Sequence, residues 1–341
     1  MSLAVVTDNV FAAHNDPDHP ESQARLEIAL TGVPAQAHRI VPVQAALEDL
    51  ARVHTPDYIA AIRSLCKQCR PERVCYLDPD TYLTARSFDA ALYAAGAACQ
   101  AADRALEGEH CFALVRPPGH HAMPNRAMGF CLFNNVAVAV ARALREAGRI
   151  AIVDWDLHHG NGTQAAFYAT DRVLYCSVHQ MGIFPGTGWP EERGVGPGVG
   201  YTINAPLESG STGADYTLIF SKVFLPALEE FDPDLLVVSA GQDASFDDPL
   251  GSMQLRPSDF GAMTGLLLES YGGALALVLE GGYGRSQGEA IRSICAALSG
   301  ARIEPDGGEP KVSTRLLVEA YTDAVRVCPE EGNTAEGRIP L

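Results

Sequence analysis

Basic residues are scarce in this 341-residue chain: 25 Lys and Arg face 42 Asp and Glu, a formal charge of −17. That shortage argues against nucleic acid as a direct partner, because duplex binding depends on neutralising phosphates with Lys and Arg. It argues equally against docking on an anionic membrane surface. Long apolar runs are missing too; no window of about 18 apolar residues occurs, so no transmembrane helix is expected. The N-terminal MSLAVVTDNVF has neither a basic stretch nor an A-x-A cleavage site, which reads as no signal peptide and a cytoplasmic protein. Repeats, low-complexity tracts and composition-shifted linkers are absent as well. The expectation is one domain over residues 1–341, with a tail that frays from about Pro329. What remains, 47% apolar and 20% charged residues, is ordinary globular composition.

Nine cysteines, odd in number and scattered, read as reduced intracellular thiols. The one cluster is Cys66-Lys-Gln-Cys69 followed by Cys75. A zinc clip would want a fourth ligand, and the nearest histidine in sequence is His54. The expectation is free thiols on a helix end and loop, with a redox pair or zinc clip as the alternative.

Short Val-, Ile- and Leu-rich runs at 4–6, 112–115, 150–153, 173–176, 235–238 and 275–279 have the look of strands buried on both faces of a parallel sheet. Segments of helical period lie between them, at 87–105, 136–147, 216–230 and 260–271. Asn134-Asn135 and Pro257-Ser258-Asp259 are helix starts, and 182–200 is a long Gly- and Pro-rich loop. Alternating strands and helices over the whole length predict an α/β fold with a mainly parallel sheet.

In such sheets ligands bind at the carboxyl ends of strands. Four predicted strands run into unusual polar sequences: Arg116-Pro-Pro-Gly-His120-His121, Asp154-Trp-Asp156-Leu-His158-His159-Gly-Asn161, Ser239-Ala-Gly-Gln242-Asp243 and Glu280-Gly-Gly-Tyr283. Asp156 and His158, two apart on an extended segment, leave on the same face. With Asp243 they have the types to hold a divalent metal and leave positions open for water and substrate. Zinc suits nitrogen and oxygen donors; Fe(II), Mn and Co stay open. His120 and His121 are candidates for moving protons, with Asp154 and Asn161 as orienting partners. Tyr283, after two glycines, can donate to a developing oxyanion. Phe130 and Phe184 either wall a narrow channel or belong to the core.

Together these segments closely resemble the histone deacetylase superfamily, which includes acetylpolyamine amidohydrolases and acetoin-utilisation proteins. The matching pieces are His19-Pro-Glu21 with Arg25-Leu26, Arg116-Pro-Pro-Gly-His-His-Ala, Gly129-Phe-Cys-Leu-Phe-Asn-Asn135, 154–164, Phe184-Pro-Gly-Thr-Gly188, Asp243 with Asp248-Pro-Leu-Gly251, and Glu280-Gly-Gly-Tyr283. The resemblance implies a single-domain arginase/deacetylase-like α/β fold whose central, mainly parallel sheet of about eight strands is flanked by helices. It implies one catalytic zinc on Asp156, His158 and Asp243. It implies His121 as general base and then acid, His120 with Asp154 in an electrostatic role, Asn161 orienting His121, and Tyr283 polarising the amide carbonyl. Gly129, Phe130 and Phe184 would line the substrate tunnel, and Asp80 matches loosely a rim residue that binds substrate backbone. Potassium would map to Asp154, Asp156, His158, Ser177 and Val178. Two departures stand out: Asn161 follows the class II-like pattern where other branches have Asp, and Gln242 replaces a residue that is usually small or apolar.

The implied activity is removal of acetyl groups from N-acetylated amines. Acetyl-lysine in proteins leads, because no large insertion narrows the mouth; acetylpolyamines or other small acetylated amines are the alternative. An inactive, metal-containing protein that binds acetyl groups is a rival of another class. A binuclear ureohydrolase would need more metal-binding Asp and His than the chain carries. A homo-oligomer remains open.

Overall fold

Four-residue apolar runs set the centre of the molecule. The computed structural model describes residues 2–324, so the tail from Pro329 lies outside them. Ten strands occur in chain order: β1 (Leu3–Val6), β2 (His38–Ile40), β3 (Cys75–Tyr76), β4 (Tyr82–Leu83), β5 (His110–Ala113), β6 (Ile150–Asp154), β7 (Val173–Gln180), β8 (Thr202–Leu207), β9 (Leu235–Ala240) and β10 (Leu275–Leu279). Eight of them form one sheet in the order β2-β1-β5-β10-β9-β6-β7-β8, and every pairing in it is parallel. Strands β3 and β4 form a separate antiparallel ribbon. β1, β5, β6, β7, β9 and β10 are buried throughout. Helices cover both faces, as continuous apolar strands require.

All six expected strands are present. Beyond the β3–β4 ribbon, the two strands not expected, β2 and β8, are the edges of the main sheet. His-Arg-Ile is mostly exposed and β8 carries Asn204 and Pro206; edge strands tolerate both polarity and proline. Strand β7 runs four residues beyond its apolar start. Its polar end is satisfied locally: the Ser177 hydroxyl pairs with His179 Nδ1 (2.9 Å), and Gln180 Oε1 accepts from Ser252 N–H (3.0 Å).

The expected helix at 216–230 is interrupted. Gly213–Ile219 is α-helical, Phe220–Phe224 forms a π turn, and Leu225–Phe231 resumes. Pro226 cannot donate back to residue 222, so the ladder widens there. Asn134 caps Asn135–Ala143 as expected, its side chain accepting from Ala137 N–H at 2.9 Å. No helix among the described residues is long and apolar enough to cross a membrane.

The cysteine expectation needs correction. Cys69 and Cys75 form a disulfide, with Cα atoms 6.2 Å apart. Cys69 caps helix Pro56–Gln68 and Cys75 opens β3; the intervening turn brings them within disulfide span, which spacing alone does not reveal. Cys66 is a buried free thiol.

Behind the sheet's carboxyl end lies a buried charged network. Glu21 pairs with Arg25 and with Arg116 (2.9 Å). His14 stacks on Tyr82 at 4.3 Å. Burial, then the Arg116 charge, brings the His14 imidazole down from its ordinary 6.5 to about 3. The unfolded chain therefore takes up this proton at a higher pH than the folded one, and stability falls as pH drops from 6.5 towards 3. Denaturation midpoints across that range should fall steadily. His14→Phe keeps the stack but cannot titrate, so it should flatten the profile; an unchanged slope would remove His14 from the acid response.

Candidate active site

Four strands that are immediate neighbours, β5, β10, β9 and β6, end in the four polar segments. Their side chains surround a cavity of about 200 Å³. Asp80, His120, His121, Gly129, Phe130, Asp156, His158, Phe184, Asp243 and Tyr283 all border it. Asp154 and Asn161 stand behind the two histidines. Ser177 and Val178 lie buried on β7, Ser177 in register with Asp154.

The two histidines are held differently. His121 Nδ1 lies 2.8 Å from Asn161 Oδ1. The Asn161 amide nitrogen faces the sulfurs of Met123 and Met128 (3.2 and 3.5 Å), which only accept, so its oxygen faces His121. His121 Nδ1–H is then the donor, and Nε2 keeps a free lone pair. Burial, reinforced by His120 and His158, lowers its pKa well below the usual value. His120 Nδ1 donates instead to Asp154 Oδ2 at 3.2 Å. Burial opposes its charge, but Asp156 and Asp154 outweigh that and raise it to about 10. The two neighbours are therefore biased in opposite directions, His121 towards its neutral form and His120 towards its protonated form.

Tyr283 is pushed well above the ordinary phenol range by burial, against the opposing charge of Arg25, so it remains a donor. Its ring is edge-on to Phe130 at 5.8 Å, and the Arg25 guanidinium lies 5.1 Å from the ring centre. Asp248 Oδ2 accepts from the N–H groups of Tyr283 (2.6 Å) and Gly284 (3.0 Å), holding the turn. Glu280 Oε2 accepts from Gly119 N–H (2.7 Å) and His120 N–H (3.1 Å), holding the histidine segment. Arg25, Asp248 and Glu280 lie within the matching motifs, which assign them no role. Their work is done on backbone groups, which no motif spells out.

The walls of the cavity depend on a tight turn. Gly129 and Phe130 both have positive φ, 55° and 68°. A Cβ on Gly129 would meet His121 Cδ2 at 2.5 Å and Phe184 Cε1 at 2.8 Å, so glycine keeps the passage open. Phe184 packs edge-on to His121 at 5.0 Å. His19, another residue given no role, backs Phe130 at 4.7 Å and donates from Nε2 to the Asp80 carbonyl at 3.1 Å. Asp80 neighbours Asp78 at the rim, and burial followed by that carboxylate raises its pKa. Acid thus stands at the mouth.

Among the described residues, Asp156, His158 and Asp243 are the side chains whose donor atoms converge for a metal, all within 4.8 Å of one another. His158 Nδ1 lies 3.0 Å from Asp243 Oδ2 and 3.4 Å from Asp156 Oδ1. Two buried carboxylates beside one imidazole, facing a cavity, fit a divalent cation with open positions. Gln242 does not reach this cluster: its amide donates to the Ala240 carbonyl, and only its backbone N–H ties β9 to Gly281 O (3.0 Å).

Residues 19–298 match the histone deacetylase domain family. The chain is 40% identical over 298 residues to a probable deacetylase of Archaeoglobus fulgidus, covering 83% of this chain and 82% of that one. It is 40% identical over 283 residues to a histone deacetylase-like amidohydrolase of Pseudomonas aeruginosa, covering 80% and 73%. With histone deacetylase 5 of Arabidopsis thaliana it shares 39% over 305 residues, 82% of this chain but 46% of that longer protein. The crystal structure of the HDA15 HD domain superposes with a TM-score of 0.89 at 34% identity, covering 95% of each chain. The chain belongs to the histone deacetylase family, and its fold is the arginase/deacetylase-like α/β fold. Hydrolysis of the deacetylase class is the activity that membership supports.

Removing only the Tyr283 hydroxyl tests the cavity. Tyr283→Phe keeps the ring between Phe130 and Arg25, so folding should be unchanged while kcat falls about 10²-fold or more. Near-normal turnover would remove the phenol from the chemistry.

Proposed function

We propose that the chain is a zinc-dependent amidohydrolase that removes acetyl groups from lysine side chains of proteins. The observation that carries this is the meeting, in one cavity, of His121, Tyr283 and the Asp156–His158–Asp243 donor set. The relatives named as histone deacetylases support the same substrate class.

The residues divide the reaction as follows. An acetylated lysine side chain enters between Phe130 and Phe184, where a narrow apolar passage suits its methylene stem. Asp156, His158 and Asp243 would hold zinc; when bound, it supplies Lewis-acid polarisation and acidifies water. His121 Nε2 takes the proton of the attacking water and returns it to the departing amine. Asn161 keeps the proton on Nδ1, so Nε2 is the basic atom. Tyr283 donates to the oxygen that gains negative charge. His120, paired with Asp154, adds a fixed positive charge nearby. A potassium site over Asp154, Asp156, His158, Ser177 and Val178 belongs to the same reading; the Asp154–Ser177 register supports that placement. Acetylpolyamines are the second reading, favoured by the acid of Asp78 and Asp80 at the rim.

Acetyl-lysine peptides should be hydrolysed faster than N-acetylputrescine or N-acetylspermidine, with a hydroxamate blocking each. The reverse ranking would make the polyamine reading the better one. Dialysis against a chelator should abolish turnover and added zinc restore it; full activity in chelator would sink the metal assignment. His121→Ala should lose turnover yet bind zinc as the parent does, measured by metal content; loss of metal would make His121 a ligand.

A further inference from the structure

Beyond the cavity, Met181 (40% exposed), Trp189 (44%) and Leu316 (59%) share one groove of about 370 Å³. The loop leaving β7 forms one wall, and the first turns of helix Val312–Ala324 form the other. Pro206 and Leu207, at the end of edge strand β8, lie between them. Isolated exposed apolar residues are ordinary. Three on one concave strip, including a tryptophan, mark an interaction surface.

The groove opens at the same end of the sheet as the active-site cavity. Met181 N–H donates to Leu207 O at 2.8 Å, and Gly210 N–H donates to Ser252 O at 2.9 Å; Ser252 follows Leu250 of the cavity wall by two residues. Trp189 is five residues from Phe184, so their Cα atoms are at most about 18 Å apart. Glu192 fixes the loop between them. Its Oε1 accepts from Gly188 N–H (2.9 Å) and Trp189 N–H (3.1 Å), and its Oε2 accepts from Gln164 Nε2 (2.6 Å).

Charge selects the occupant. Glu191 and Glu208 border the groove, and among the described residues no Lys or Arg lines it. A second copy would bring another −17, whereas a cationic chain is attracted.

We infer that this groove is an exosite for the acetylated polypeptide: it takes an apolar residue flanked by Lys or Arg while the acetyl-lysine occupies the cavity. The inference rests on the acetyl-lysine reading above. Because 18 Å is the upper bound, the anchoring block lies within about five extended residues of the acetyl-lysine, at roughly 3.3–3.6 Å each. Two-point attachment strengthens binding without entering the chemistry, so it lowers KM and leaves kcat alone. An acetylated polyamine has no apolar block to place there.

Three substrates test this: a short acetyl-lysine peptide, a long one carrying a Leu-Arg-Lys block about four or five residues away, and the same long peptide with Gly-Ser in place of the block. The block should lower KM about 10-fold at constant kcat. Trp189→Ala, or Leu316→Glu on the opposite wall, should return that KM to the short peptide's value and leave the short peptide's kinetics unchanged. Glu191→Lys with Glu208→Lys should raise KM for the block peptide alone. Equal KM for all three peptides overturns the exosite. So does a Trp189→Ala loss that is the same on short and long substrates. A dimer in light scattering that Trp189→Ala converts to monomer would overturn it in favour of a self-interface. The chain has two tryptophans, and Trp155 is fully buried, so emission from Trp189 reports binding of the unacetylated block peptide. If no acetyl-lysine peptide is hydrolysed, the cavity reading fails; the emission titration still decides the groove, saturation supporting it and no response overturning it.

Discussion

Two carboxylates, Asp156 and Asp243, are buried face to face beside the His158 imidazole, and the surrounding chain is arranged to hold them there. Isolated buried charge is costly, so each oxygen needs a donor or a cation. Backbone N–H groups supply part of this: Gly281 donates to Asp156 Oδ2 (2.7 Å), His158 to Asp156 Oδ1 (2.9 Å) and Leu157 to Asp243 Oδ1 (2.9 Å). Such close approach leaves no room for side chains. A Cβ on Gly241 would meet Asp156 Oδ2 at 2.0 Å, and one on Gly281 would meet Asp243 Oδ2 at 2.4 Å. The glycines at the ends of β9 and β10 are therefore part of the geometry that brings Asp156 and Asp243 together, not merely turn formers.

A second buried charge system ties the first part of the chain to that centre. Arg116 donates to the carbonyls of His14 (2.7 Å) and Glu21 (3.0 Å), which fastens the segment before helix Gln23–Leu30 to the end of β5. From that helix Arg25 donates to the carbonyls of Glu280 and Gly282 (2.5 and 3.5 Å) and lies over Tyr283. Glu280 in turn grips the histidine segment. His120, His121 and the Tyr283 phenol are thus positioned through contacts from one network, which has no side chain in the cavity itself. Removing one partner of such a buried pair typically costs about 3–5 kcal/mol, so the network sets stability and alignment together.

Much of the site was legible because its chemistry is written in rare residue types at strand ends. Paired histidines, the Asp156-x-His158 spacing and the glycines before Tyr283 all stood out locally. Arg25, Asp248, Glu280 and His19 did not, because each acts on a backbone group contributed from far along the chain. The edge strands β2 and β8 escaped for a related reason: β2 is mostly exposed, and β8, though largely buried, carries Thr202, Asn204 and Pro206, so neither shows a continuous apolar run. The Cys69–Cys75 bond is not legible in the sequence because a five-residue turn, not the spacing, decides whether the ends meet.

By itself the sequence determined which segments are buried strands and which residue types stand at their carboxyl ends, because burial on both faces demands continuous apolar runs and chemistry demands particular side chains. Only the tertiary structure decided their neighbours. Hydrophobic pattern is blind to order, so nothing local says that β10 inserts between β5 and β9, or that β9 lies against β6. That order brings Tyr283, His121, Asp243 and His158 to one cavity from segments more than 160 residues apart. It also places the carboxyl ends of β7 and β8 beside that cavity, leaving Trp189 and Leu316 exposed on the same face of the protein.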